Sequence, residues 1–263
     1  MSIVNEMFLT NTLSTPMVYF NSYNTEDDKN ILSDKSKQYF KDGVDGLKNK
    51  TVVEAINNFS KVVEENSHFI PAINNLGALY YSVGRIPESI HFFEDAIKKN
   101  PKNFQARYNL GTLYCLNRGF ELAENQLLQA KTLVPKDPAI NNNLAISYLN
   151  NGKKNEAELL WLEIMKEYTN FDLAFHNYAH LLCQKGKYEE AESYYLEALK
   201  KNNNNIISLN DLACCYYKNG KIEKALQILY EIAETTKHQF QPAIYNLGYI
   251  VVAKKLLPFE TYK

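Results

Sequence analysis

Two histidines four residues apart, His176 and His180, would share one face of any helix that carries them. Cys183 follows within the next turn, and Cys214 stands 34 residues after His180. Imidazole and thiolate are soft donors, and four of them on two neighbouring helices could hold zinc or copper. The spacing matches no standard structural zinc pattern, and Cys183 lies far along the helix from His176. The competing reading makes these residues polar lining and small core fillers. No bound metal or other cofactor is therefore expected, with His176, His180, Cys183 and Cys214 kept as the candidate ligands.

Other chemistry has less to stand on. The chain carries no nucleophile elbow, phosphate loop, dinucleotide fingerprint or H-E-x-x-H motif. The acidic pairs Glu64-Glu65 and Glu189-Glu190 read as solvated helix faces, and an enzyme is not expected. Charge nearly cancels, with 29 Lys and Arg against 30 Asp and Glu. That balance lacks the basic excess of a nucleic-acid binder. No run of 18 apolar residues occurs, so no membrane-spanning helix is expected. Four cysteines without a C-x-x-C pair fit a reducing compartment. The opening Met1-Ser2-Ile3-Val4-Asn5-Glu6 lacks the basic and apolar regions of a secretory signal, and a cytoplasmic location is expected.

The elements that position these residues are announced by a repeat. Asn75-Leu76-Gly77 returns as Asn109-Leu110-Gly111, Asn143-Leu144-Ala145, Asn177-Tyr178-Ala179 and Asp211-Leu212-Ala213, each step being 34 residues. Asn246-Leu247-Gly248 follows after 35, which places one inserted residue between Lys237 and Gln241. Three residues after each Gly or Ala comes Tyr80, Tyr114, Tyr148, Leu182 or Tyr216. Twelve after it comes Ser89, Ala123, Ala157, Ala191 or Ala225, and four further on Phe93, Leu127, Trp161, Tyr195 or Leu229. Apolar residues return at i, i+3, i+4 and i+7 in both halves of a unit, which predicts two helices per repeat. Gly84, Gly152, Gly186 and Gly220 fall between them, where a left-handed turn favours glycine. Gly77, Gly111 and Ala145 are small enough to let paired helices approach closely.

This pattern resembles the tetratricopeptide repeat (TPR) over about residues 36–257. A weaker early copy keeps Tyr39, Gly43, Ala55 and Phe59 but has Asp42 in place of the usual leucine, which suits a terminal repeat. The resemblance implies an all-α fold, a right-handed TPR α-solenoid of about six repeats plus a C-terminal helix. The expected organisation is an N-terminal arm over 1–35, partly disordered, and six units at 36–69, 70–103, 104–137, 138–171, 172–205 and 206–240. A terminal helix and tail occupy 241–263. The arm is read either as loosely packed or as an extended strand that docks in a groove, its own or a partner's. The apolar terminal helix would leave a face for homo-oligomer contact.

In this architecture the first helix of each pair lines the concave side. The residues preceding each Leu or Tyr are then Asn75, Asn109, Asn143, Asn177, Asp211 and Asn246. A carboxamide carries donors and an acceptor, so a row of them can pair with the backbone of an extended peptide. The row resembles the asparagines lining the TPR superhelix of the O-GlcNAc transferase, and similar residues in kinesin light chains. The same amides could instead bond only within the fold. Neighbouring groove positions are Asn74, Tyr81, Tyr108, Asn142, His176, His180, Asn210, Tyr217, Tyr245 and Tyr249, a lining rich in amides and rings and poor in charge. A co-chaperone carboxylate clamp is not expected, because the matching positions hold Phe40, Val44, Asn74, Ala78 and Thr112 rather than lysine. The function expected is a scaffold or adaptor that binds another protein through an extended segment in the concave groove. The alternatives are a recognition or assembly subunit of an enzyme complex, or a self-associating structural module.

Overall fold

A computed structural model of the chain describes residues 32–254. Among these residues all regular structure is helical: α1 Asp34–Lys48, α2 Val52–Glu65, α3 Ile70–Ser82, α4 Ile86–Lys99, α5 Phe104–Leu116, α6 Phe120–Leu133 and α7 Pro138–Asn150. Then follow α8 Lys154–Glu167, α9 Asp172–Gln184, α10 Tyr188–Lys201, α11 Ile206–Lys218, α12 Ile222–Thr235 and α13 Gln241–Ala253. The odd-numbered helices carry the Leu-Gly or Leu-Ala signature and are called inner; the even-numbered ones are outer.

Local chemistry sets the helix starts. Ser33, Asn103 and Asn205 cap α1, α5 and α11 by accepting backbone N–H bonds from Ser36, Ala106 and Ser208 at 3.0, 2.7 and 3.1 Å. Asp137 accepts two, from Ala139 and Ile140, both at 2.9 Å. Proline opens α3, α4 and α13, where its missing N–H costs nothing. Between inner and outer helix the chain passes through the left-handed region, with φ near +77° at Gly84. Arg118 and Lys50 take the same conformation at φ 60° without being glycine, a substitution the glycine pattern did not foretell. The one-residue insertion falls in the turn after α12, where Lys237 and His238 are both left-handed.

Each outer helix buries one stripe. Ala55, Phe59 and Val62 form it in α2, Ser89, Phe93 and Ala96 in α4, Ala123, Leu127 and Ala130 in α6, and Ala191, Tyr195 and Ala198 in α10. The large middle residue meets the small residue of the inner helix. A methyl group built on Gly111 would stand 2.6 Å from Leu127 Cγ, and one on Gly77 2.7 Å from the Phe93 ring. Hydrogen is the only side chain that allows that approach. Phe40 sits edge-on to Phe59 and Phe69, both centroid distances being 5.4 Å.

The chain divides into two compact units, with the division between Ser147 and Tyr148, inside α7. In the first, α1 to α6 pack in sequence order, each on the next. In the second, α8 to α13 do the same, and α11 also touches α9 and α13. Hairpins thus lean on their sequence neighbours, as expected of an all-α solenoid. The first helix begins at Asp34, inside the segment assigned to the arm. Its cap is the physical reason: Ser33 supplies the hydroxyl that closes the first turn. The rest of the arm, and the tail beyond Lys254, lie outside the described residues.

Candidate binding surface

The inner helices differ from the outer ones in how much of their circumference is covered. In α3 nine consecutive residues are buried, Pro71 to Leu79; in α5 eight, Ala106 to Leu113; in α9 eight, His176 to Cys183. In α11 the run is Asn210 to Tyr216. Successive residues are 100° apart around a helix, so runs of this length close the full circle. The end helices α1 and α13 show an ordinary one-sided pattern instead.

Within these helices the asparagine row is corrected by the structure. Asn75, Asn109, Asn143, Asn177, Asp211 and Asn246 have no exposed surface at all. Several of their side chains reach across to the neighbouring inner helix. Asn109 Nδ2 donates to Asn74 Oδ1 at 3.0 Å, and Asn246 Nδ2 donates to Asn210 Oδ1 at 2.9 Å. Asn143 Nδ2 donates to Thr112 Oγ1 at 2.9 Å and lies 3.5 Å from Tyr108 Oη. Asn75 and Asn177 are equally engaged. The rule is regular: a row residue meets the residue just before the row position of the previous repeat. Asp211 obeys it too, with His176 Nε2 at 3.6 Å from Asp211 Oδ2 and His180 Nδ1 at 3.9 Å. The row is therefore a ladder between repeats, and its amides do not stand free in a hollow.

Partners of the row are buried as well. Asn74, Asn142, His176 and Asn210 are fully covered, and Tyr108 and His180 nearly so, whereas Tyr245 on α13 is 48% exposed. Asn142 and Asn210 also donate to the next residue along their own helices, Asn143 and Asp211. The sequence did hold a signal for the ladder. Asn74 and Asn109, Tyr108 and Asn143, His176 and Asp211 are each 35 residues apart, and the single acidic member of the row is the one opposed by imidazole.

The metal candidates are corrected for the same reason. His176 Nδ1 lies 2.9 Å from Ser208 Oγ, and His180 Nε2 lies 3.0 Å from Gln184 Nε2. Cys214 Sγ accepts from Asn246 Nδ2 at 3.2 Å. Cys183 and Cys215 are hydrogen-bonded to each other, which raises the Cys183 thiol well above its ordinary range and lowers that of Cys215. Among the described residues no three His, Cys, Asp or Glu side chains converge on one point where a metal ion could sit. All four cysteines are free and buried, and burial pushes the Cys115 thiol up to about 11. None of the described helices is long and apolar enough to cross a membrane.

Three family models, each of the tetratricopeptide repeat, match residues 171–237, 92–125 and 72–100. The chain belongs to the tetratricopeptide repeat family. Solved TPR structures agree with the fold. PilF of Pseudomonas aeruginosa superposes with a TM-score of 0.68 at 16% identity, covering 85% of this chain and all of PilF. A chain of the Cut9–Hcn1 hetero-tetramer of the APC/C gives 0.72 at 17% identity, over 86% of this chain and 45% of its own length. YrrB, a TPR protein with an unusual peptide-binding site, gives 0.54 at 18% identity, over 75% of this chain and 97% of YrrB. No curated protein sequence matches. TPR arrays are protein-interaction scaffolds, and this chain has that architecture.

Proposed function

We propose that the inner helices of this TPR array bind an extended polypeptide segment on the face turned away from the outer helices. The observation that carries the reading is the all-round burial of α3, α5, α9 and α11. Described helices flank each of them on the outer side and at the two ends of the stack, which accounts for part of the circle. The remaining face is made of Asn74 and Ala78, Tyr108 and Thr112, His176 and His180, and Asn210 and Cys214, four-residue pairs on successive inner helices. It is rich in amides and rings and low in charge, and it suits a covering layer of uncharged chain. The YrrB likeness supports the class of ligand and no more.

In this revised reading the row amides hold the scaffold together, and recognition passes to the rings at its margin. Tyr217 and Tyr249 meet edge to face at 5.8 Å and are half-buried. Tyrosine serves both apolar and polar contacts at little cost in side-chain entropy. Extended peptides selected from a display library should lose about 10-fold in affinity with Tyr217→Ala or Tyr249→Ala, helix content by circular dichroism being unchanged. Undiminished affinity in both variants removes the proposal.

A second reading, self-association, is favoured by α13. Tyr245 is 48% and Val252 75% exposed there, and open space surrounds Gly248 where other repeats have an outer helix. Light scattering at rising concentration separates the two: a monomer throughout excludes it.

A further inference from the structure

The face that the inner helices cover is closed by something, and the chain itself has two stretches outside residues 32–254 that could close it: 1–31 and 255–263. In the first unit Ala78 and Thr112 are buried to 0% and 1%; in the second, His180 and Cys214 are buried to 5% and 1%. None of the described helices lies over them, since each inner helix packs on the outer helices that precede and follow it in sequence. Every polar member of this face is engaged: Asn74, Asn142, His176 and Asn210 all make contacts in addition to the ladder.

We infer that residues 1–31 are the covering segment, so that the groove is occupied by the chain's own N-terminal arm. This rests on the peptide-groove reading above and names the ligand for it. Three observations favour the arm over the tail. Thirty-one residues reach about 100 Å when extended and nine only about 30 Å, and inner helices are covered in both units. The nine-residue tail follows α13, the inner helix whose surface is most open, with Tyr245 and Val252 exposed. The chemistry also matches. Residues 1–25 carry a single charged side chain, Glu6, and bring Phe8, Tyr19 and Phe20 as anchors to a lining that is itself nearly uncharged. The charged residues Glu26, Asp27, Asp28 and Lys29 come only where the segment approaches α1. The arm would then act as a ligand in cis, and a foreign segment would have to displace it. Tethering raises the effective concentration of such a ligand into the millimolar range, so displacement demands a tighter or more abundant competitor.

The test uses the full chain with a photoreactive amino acid at Tyr81 or Tyr217, half-buried positions in the first and second unit. Intramolecular crosslinks to residues 1–31 are expected from both. Crosslinks only to residues 255–263, only to a second molecule, or none at all overturn the inference. A second measurement does not depend on crosslinking chemistry. A synthetic peptide of residues 1–25 should bind the full chain carrying Phe8→Asp and Phe20→Asp at least 10-fold more tightly than the unaltered chain. Equal binding to both overturns it. Where a display-selected peptide binds the variant and the 1–25 peptide does not, the groove stands and the arm is not its ligand; where neither binds, both readings fall.

Discussion

An asparagine with no exposed surface has one economical use, which is to satisfy another buried polar group. Asn109 does so for Asn74, and Asn246 does so for Asn210. Removing a hydrogen-bonded partner from a dry interior costs about 1–3 kcal/mol, against about 1 kcal/mol for an average bond exposed to water. Asn109→Ala is therefore expected to lower the unfolding free energy by roughly 2 kcal/mol, read as a lower urea midpoint with unchanged slope. The direction of this side chain was beyond what the sequence could settle. A helical residue's azimuth follows from its position in a 3.6-residue turn, and the row position lies at the border between the adjacent inner helix and the open face. Leu76 and Gly77, one and two steps on, point clearly at the core, and both could be placed from the sequence. Asn75 sits a single 100° step away from Leu76, where a small rotation decides which surface it meets.

At the scale of the element, the hairpin was legible because its demands are strict. Only a hydrogen atom at Gly111 fits beside Leu127, and only a short list of residues crosses the left-handed turn without strain. Arg118 shows where such strictness ends, since a neighbour-supported turn accepts the non-glycine residue. Connections between hairpins are less visible in sequence because they use long side chains. Glu158 of α8 accepts from Lys185, just beyond the end of α9, and from Tyr178 Oη at 3.2 Å. The Lys185 hydrogen bond holds the Glu158 carboxyl below its ordinary value, and burial with the nearby carboxylate pushes the Tyr178 phenol up to about 12. A carboxylate depressed in the folded state contributes stability above its unfolded pKa and loses it as pH falls through the folded one. Glu158→Gln should thus destabilise by under about 1 kcal/mol at pH 7, since the pair is partly solvated. The difference between variant and parent should close as denaturation is followed down from pH 5 to pH 3. A constant gap over that range would remove Lys185 as the cause.

At the scale of the whole chain, hairpins that touch only their neighbours give stability the character of a sum over adjacent contacts. Ends have fewer such contacts. The one-sided burial of α1 and α13 against the all-round burial of α3, α5, α9 and α11 marks the gradient. Amide hydrogen exchange should therefore be fastest in α13 and α1 and slowest in α5 and α9, by at least 10-fold in protection. Uniform protection would mean that the described residues unfold as one cooperative block. The fold class was legible at this scale because five agreeing periods leave little choice of architecture. The ligand was not, since a repeat specifies a surface and leaves its occupant to residues outside the repeat.

The rung between His176 and Asp211 makes the hairpins non-interchangeable. Elsewhere the rungs seen here join uncharged side chains, and such modules could in principle trade places. The hairpin that begins with α11 brings a carboxylate, which moved beside Asn74 or Tyr108 would be sealed in without an imidazole to face it. A reshuffled chain with that module transplanted would carry a buried anion in the wrong berth. The order of the modules is written into one acid and one base.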